Sequence, residues 1–399
     1  MMKTNVFTIY MLTVGVFLTA TSELVVSGIL PRIAQDINIS LALAGQLITA
    51  YSLSFAIATP ILIVLTNRLN RKPLLVGSLV AFFAGSGLSA FSKNIEMLMA
   101  SRVLLGASSG IFLVVSLGIA AKLVPEEKIG RTIGTIILGF SSAMILGVPI
   151  GIAIADWINW RAIFILLAVL SVITGIVIWR LLPNVAGDTP VPFVRQLKRA
   201  GSAVILTTLF ISLFREGGNS VFLTYISPYM KQIMSFDTAD IAFMMLAIGL
   251  IGAIASRIGG SLVDHWGASR TLGTSLVIHL AALALLPVFT FSTPFVVGLI
   301  AIMFAVLFAG GPAVQSYIIQ QAPESANFVL SLNTSVIHLG IAAGAGAGGY
   351  LVGETGTLQQ HPWLAAAIIT LGFVAAQISF ALSRKNRKLA ETSLRSMSS

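Results

Sequence analysis

The sequence predicts an all-α polytopic membrane protein, with twelve transmembrane helices arranged as two six-helix bundles. Three observations predict it. Of 399 residues, 56% are hydrophobic and only 10% charged, with mean hydropathy +0.96, whereas soluble globular chains carry about 25% charged residues. Apolar stretches of roughly 20 residues, each long enough to cross a ~30 Å hydrocarbon core as a helix, recur along the whole chain. Finally, the two halves of the chain correspond at a fixed offset of 197 residues, the pattern of a protein built from two parallel repeats.

The expected spans are 7–30, 43–66, 73–91, 95–123, 130–155 and 162–182 in the first half, and 202–226, 242–263, 271–291, 294–319, 328–352 and 363–382 in the second. Between them lies the longest polar segment, rich in Pro, Gly and basic residues. The implied domains are an N-terminal bundle (1–182), a cytoplasmic linker (183–200), a C-terminal bundle (201–383) and a basic cytoplasmic tail (384–399). Span 7–30 follows Lys3 and has the outline of a secretory signal. It lacks a clear small-x-small cleavage site and eleven spans follow it, so it reads as a retained helix.

That first span contains Glu23 within an otherwise apolar or small run. The i+4 series Gly15, Thr19, Glu23, Ser27 makes one small or polar stripe, and an ionised side chain facing lipid costs about 3 kcal/mol or more. The stripe is therefore expected to face the bundle interior. Adding the offset gives Ser212, Glu216, Ser220 and Thr224 in span 202–226. The two stripes are in register, but the acid has moved one turn, so two carboxylates are expected to face one cavity at depths differing by about 5 Å. Arg215 adjoins Glu216; consecutive helical residues diverge by about 100°, so the two are expected not to pair, leaving Arg215 for another helix or a substrate anion.

Pro31 and Pro228, also related by the offset, are expected to end spans 7–30 and 202–226. Arg102, in 102-RVLLGASSG-110, lies about six residues or ~9 Å from its helix end, and Glu23 about eight residues or ~12 Å from Pro31. The two could pair if their helices adjoin, the alternative being that Arg102 snorkels to the interface. Asp156 is expected at the outer boundary, solvated, and His279 at the periphery. Asn219, Gln315, with Tyr317 nearby, Asn333 and His338 either line a cavity or form interhelical hydrogen bonds.

The 24 Lys and Arg residues give a formal net charge of +10. Only Arg32, Lys93, Arg161 and Lys231 fall in loops opposite the amino terminus. This positive-inside bias predicts that both termini are cytoplasmic, in a cell (plasma) membrane, and that the charge serves topology and anionic-lipid contact rather than nucleic acid. There is no cysteine. The four histidines lack metal-ligand spacing, and no nucleophile-and-base pair or phosphate-binding loop occurs, so neither an enzyme nor any metal or cofactor is expected.

Two loops and three helices carry motifs. The loops 67-NRLN-70 and 264-DHWG-267 correspond under the offset, as do Gly147 and Gly151 with Gly344 and Gly348. Gly or Asn in these loops permits a left-handed turn, and an acid there suits a helix amino terminus. The second loop, with Gly260, Leu262, Asp264, Gly267 and Arg270, resembles the loop motif Gly-x-Leu-x-Asp-Arg-x-Gly-Arg-Lys of the major facilitator superfamily. The first keeps Leu65, Arg68, Arg71 and Lys72 but has Asn67 for the acid and Asn70 for the second Gly, which Asn70 is expected to replace in the turn. The segment 146-LGVPIGIAIADWINWRAIF-164, with Gly147, Pro149 and Gly151, is similar to the antiporter motif of proton-linked exporters in the drug and arabinose-efflux branch of that superfamily. Gly147 and Gly151, with 340-GIAAGAGAGG-349, suggest a paired packing surface on which the two halves rock. Arg102-x-x-x-Gly106 resembles the superfamily's segment associated with proton transfer.

The resemblance implies the major facilitator fold and a secondary active transporter, of bacterial type and working as a monomer, that exports a small organic molecule, drug-like or metabolic, by proton antiport through alternating access. A carboxyl in a low-dielectric cavity holds its proton more readily, and an approaching arginine releases it. On that basis the candidates for coupling are Glu23, Glu216 and Arg102. A sugar or nucleobase efflux permease, an uncoupled facilitator and, last, a non-transporting receptor remain as alternatives.

Overall fold

In a computed structural model, residues 6–66, 68–187 and 202–397 are described; Asn67 and the linker from residue 188 onward lie outside them. All regular secondary structure among these residues is helical. The helices are α1 (Val6–Asp36), α2 (Leu41–Leu65), α3 (Arg71–Ala90), α4 (Ile95–Leu123), α5 (Glu126–Ser142), α6 (Val148–Trp157) and α7 (Trp160–Leu181). The second half contributes α8 (Ala203–Leu223), α9 (Ile226–Ile233), α10 (Thr238–Trp266), α11 (Ala268–Leu285), α12 (Thr293–Gln321), α13 (Ala326–Thr355) and α14 (His361–Met397). Among the described residues, eleven helices are long and apolar enough to cross a membrane. The expected span 202–226 is not one of them. Its helix α8 carries Arg215, Glu216 and Asn219, which lower its hydropathy.

Local chemistry sets several of the boundaries. Ser40, Asn94 and Asn159 each accept the backbone N–H three residues on, at 3.1, 3.0 and 3.0 Å, and so start α2, α4 and α7. Asn38 and Ser235, 197 residues apart, both adopt left-handed backbone, with φ of 52° and 57°, so the repeat extends to conformation. Gly267 makes its turn with φ 83°, as only glycine does freely. Asn70 does not: its φ is −58° and ψ 136°, an extended entry into α3, so the two loop copies differ in backbone as well as charge.

The prolines do not end their helices. Pro31 lies inside α1 and Pro228 inside α9. Pro31 removes one backbone donor, a loss a membrane helix tolerates when neighbours or side chains re-satisfy the freed carbonyl, whereas Pro228 stands in the first turn of α9, where no intrahelical bond is lost. The break in the seventh expected span comes earlier, at Thr224 and Tyr225. The fifth is interrupted by a π turn, Ala143–Gly147, in which Val148 N–H reaches back to the Ala143 carbonyl. The wider turn directly precedes Pro149, which has no N–H to offer a regular helix.

The chain divides into two compact units, residues 1–190 with 220–251 and 341–361, and residues 191–219 with 252–340 and 362–399. In the first, a core of Leu12, Val16, Leu79, Phe112, Ile119 and Ile178 joins α1, α3, α4 and α7. Small residues set the approach of α1 and α2 to α4: a Cβ on Gly15 would lie 2.1 Å from the Phe112 ring, and one on Gly106 2.1 Å from the Tyr51 carbonyl. The same unit takes in α9, the start of α10 and the end of α13. Here Gly45 of α2 lies against the Tyr225 hydroxyl, Gly349 of α13 against Gln46, and Gly249 of α10 against Ile145 of the π turn. Arg32 of α1 pairs with Asp156 and reaches Thr238.

Candidate functional site

Two clusters of charge lie within the helices, one in each unit: the first on spanning helices and the second on α8. In the first, α4 brings Arg102 into the interior, where it is 1% exposed, so it does not snorkel. Its Nη1 donates to the Ser22 carbonyl at 3.0 Å, and its guanidinium lies 4.6 Å over the Phe164 ring. Its Nε and Nη2 have no hydrogen-bond partner. Glu23 follows Ser22 on α1, half-buried. Tyr51 of α2 lies within electrostatic reach of both Glu23 and Arg102; its hydroxyl makes a long, 3.4 Å contact to the Thr19 carbonyl. Because Gly106 and Gly110 lack side chains, α2 can lie against α4 closely enough to put Tyr51 there.

The segment around Trp160 anchors this arrangement. Trp160 Nε1 donates to Asp36 at 3.1 Å and Arg161 pairs with the same carboxylate. Arg161 also donates to the Ser92 carbonyl at 2.9 Å. The start of α7 is thereby tied to the end of α1 and to the α3–α4 loop, which holds Phe164 under Arg102. Tyr51 was missed in the sequence. Its only signal was a polar aromatic near the middle of an apolar span. Thr19 and Ser27, also on the stripe, are buried and spend their hydroxyls on their own helix, on the Val16 and Leu24 carbonyls.

The glycines of 146-LGVPIGIAIADWINWRAIF-164 face α1. A Cβ on Gly147 would meet Thr21 and one on Gly151 would meet Val25. This part of the motif therefore closes a helix pair inside the first half. In α13, Gly348 likewise packs on Tyr225 and the Val221 carbonyl, while Gly349 turns to Gln46 of α2.

In the second unit, Arg215 and Glu216 do pair with each other, against expectation. The arginine side chain is long enough to span the arc between neighbouring helical positions, and its other end donates to the Leu307 carbonyl of α12. His279 is not peripheral. It is 1% exposed in α11, close enough to feel Arg215, and its Nε2 has no hydrogen-bond partner. Asn219 and Asn333 are buried, each with an Oδ1 lacking a partner. His338 is buried, with Nδ1 3.0 Å from the Thr334 carbonyl. Gln315 is exposed. Ser220 and Thr224 belong to the first unit, where Ser220 donates to the Ile341 carbonyl at 2.9 Å and lies 3.3 Å from the Thr224 hydroxyl. The second stripe thus passes from one unit to the other between Asn219 and Ser220.

Of the loop residues, Arg68, Asp264 and Arg270 are exposed. Arg71 is buried, its N–H bonded to the Val185 carbonyl at 2.8 Å, and Lys72 lies 5.1 Å from the Trp179 ring centre. A Cβ at Gly260 would meet nothing, so its lack of a side chain is not required by packing. Among the described residues no group of His, Cys, Asp and Glu could hold a metal ion.

The chain matches the Major Facilitator Superfamily profile over residues 12–345 and 208–395. It belongs to the Major Facilitator Superfamily. Among relatives of this superfamily, it is 35% identical to an uncharacterized MFS-type transporter, YbcL, of Bacillus subtilis (strain 168), covering 94% of this chain and 96% of that one. It is 25% identical to a probable sugar efflux transporter of Mannheimia succiniciproducens, over 94% of this chain and 91% of that one. A chloramphenicol resistance protein of Streptomyces lividans is 27% identical, over 92% and 95%. The fold matches a crystal structure of a bacterial homolog of the human lysosomal transporter Spinster, inward-facing and unoccupied, with TM-score 0.76 at 14% identity, covering 96% and 98%. The chain is thus a multi-pass MFS transporter with the superfamily's all-helical fold, and not an enzyme.

Proposed function

We propose that this MFS transporter exports a small organic molecule in exchange for protons, with Glu23 as the principal proton-carrying group and both termini in the cytoplasm. The observation that carries this reading is the cluster of buried Arg102 and Tyr51 with half-buried Glu23. A guanidinium removed from water and held by one carbonyl and one aromatic face is costly unless nearby groups compensate it. A carboxyl alongside changes its charge on protonation, so the field at Arg102 and Tyr51 depends on whether the proton is present. That dependence is what coupling requires: the protonated and unprotonated forms favour different packings of α1, α2 and α4. Glu216 is the second candidate, already engaged by Arg215.

Export, as the direction of transport, is supported by the similarity of the Gly147–Pro149–Gly151 segment to the antiporter motif and by the names of two relatives, a chloramphenicol resistance protein and a probable sugar efflux transporter. Their identities of 27% and 25% leave the substrate at the level of a small organic molecule. The two six-helix halves would alternate access by rocking, with the loops around Arg68 and Asp264 gating the cytoplasmic side.

The test is a flux measurement in proteoliposomes under an imposed pH gradient, with the substrate chosen by ligand-stabilisation screening across drugs, sugars and nucleosides. Glu23→Gln should abolish gradient-driven transport while leaving substrate binding measurable. Unchanged gradient-driven flux in both Glu23→Gln and Glu216→Gln would place coupling elsewhere.

A further inference from the structure

Two grooves open on the surfaces of the peripheral helices, one in each unit. The first, about 500 Å³, lies between α3 and α7 and includes Val76, Val80, Ile176 and Arg180. The second, about 1230 Å³, lies between α11 and α14, beside the end of α12, and includes Gly273, Val277, Phe373 and Gln377. Each of these four residues follows its counterpart by 197, so the grooves occupy equivalent places in the repeat. Their chemistry is not equivalent. The first is walled almost wholly by hydrocarbon, whereas the second carries Arg270 at the start of α11 and Arg384 near the end of the last span, with Gln320, Gln321 and Ser383 between.

We propose that the α11–α14 groove is a binding site for an anionic glycerophospholipid, with the phosphodiester held between Arg270 and Arg384 and an acyl chain running inward. Depth supports this orientation. Val277 lies seven residues, about 10 Å, along α11 from Arg270, and Phe373 eleven residues, about 16 Å, back along α14 from Arg384. The groove is therefore cationic and hydrogen-bonding at the membrane–water interface and apolar toward the bilayer centre. Trp266, which also lines it, is an aromatic suited to that interface. Basic pockets between membrane helices recognise anionic headgroups in this way. Guanidinium groups are well matched to phosphate oxygens. Arg270 also belongs to the 264–270 loop region, so an occupied site would join the membrane's anionic lipid content to that loop.

Native mass spectrometry of the full-length protein in detergent, titrated with dioleoylphosphatidylglycerol and in parallel with dioleoylphosphatidylcholine, tests this. Arg384→Gln and Arg270→Gln should each weaken phosphatidylglycerol binding about fivefold, with phosphatidylcholine binding unchanged. Both side chains are exposed, so neither substitution disturbs the core. Arg180→Gln, in the equivalent groove, is the control and should have no effect. The proposal is overturned if neither arginine matters, if Arg180→Gln weakens binding as much, if phosphatidylcholine binds equally well, or if glycerol phosphate without acyl chains competes at the concentrations of the lipid.

Discussion

Arg102 is held by groups from two helices, the Ser22 carbonyl on α1 and the Phe164 ring on α7, with Tyr51 of α2 within electrostatic reach. A desolvated guanidinium over an aromatic face is worth roughly 1–2 kcal/mol. Phe164→Leu keeps the volume nearly constant but removes that face, so the thermal unfolding midpoint of the purified protein should fall. The fall should vanish in an Arg102→Met background, where no cation remains to be stabilised. An equal fall in both backgrounds would show that Phe164 contributes through packing alone. The acid and the arginine were legible in the sequence because a charge in an apolar run is conspicuous. Tyr51 and His279 were not, because Tyr and His occur in apolar spans for several reasons and only their neighbours separate these.

At the scale of elements, close approach depends on single glycines. A Cβ on Gly106 would press on the Tyr51 carbonyl of α2, while one on Gly118 of the same helix would meet nothing within 4 Å. Gly106→Ala should therefore destabilise by about 1–3 kcal/mol through overpacking against backbone, which cannot swing aside. Gly118→Ala should be neutral or slightly stabilising. Reversible unfolding in mixed micelles distinguishes the two. The helices themselves were legible to within a few residues where apolar run and cap coincide, as at Asn94 and Asn159. The π turn before Pro149 was not, since a proline announces only that a hydrogen bond is missing and not how the backbone absorbs the loss.

For the molecule as a whole, the first unit joins α1, α2 and the π turn to α9, the start of α10 and the end of α13. Tyr225 is central to that junction. Its hydroxyl donates to the Ala345 carbonyl at 3.2 Å, its ring lies 5.1 Å from that of His361, and a Cβ on Gly45 would be 1.8 Å from its oxygen. Gly45→Ala should shift the population toward a form in which α2 and α9 separate. The chain has no native cysteine, so spin labels can be placed cleanly at Lys93 and Lys231, both exposed and both in this unit. Pulsed distance measurements should show a longer component in Gly45→Ala than in the parent. An unchanged distribution would mean that the contact does not hold the junction closed.

The sequence alone determined the helical membrane class, the repeat and its offset, the charge bias of the loops and the presence of intramembrane acids. All of these follow from local quantities: hydropathy over one span, residue spacing along one helix, charge in one loop. Only the tertiary structure decided which side chains meet. Phe83 is 45% exposed and Phe112 fully buried, although both sit in apolar helices. Lipid is as apolar as a protein core, so hydropathy no longer separates surface from interior. Partner choice then rests on where glycines permit contact, and on which buried polar groups can satisfy one another across helices distant in the chain.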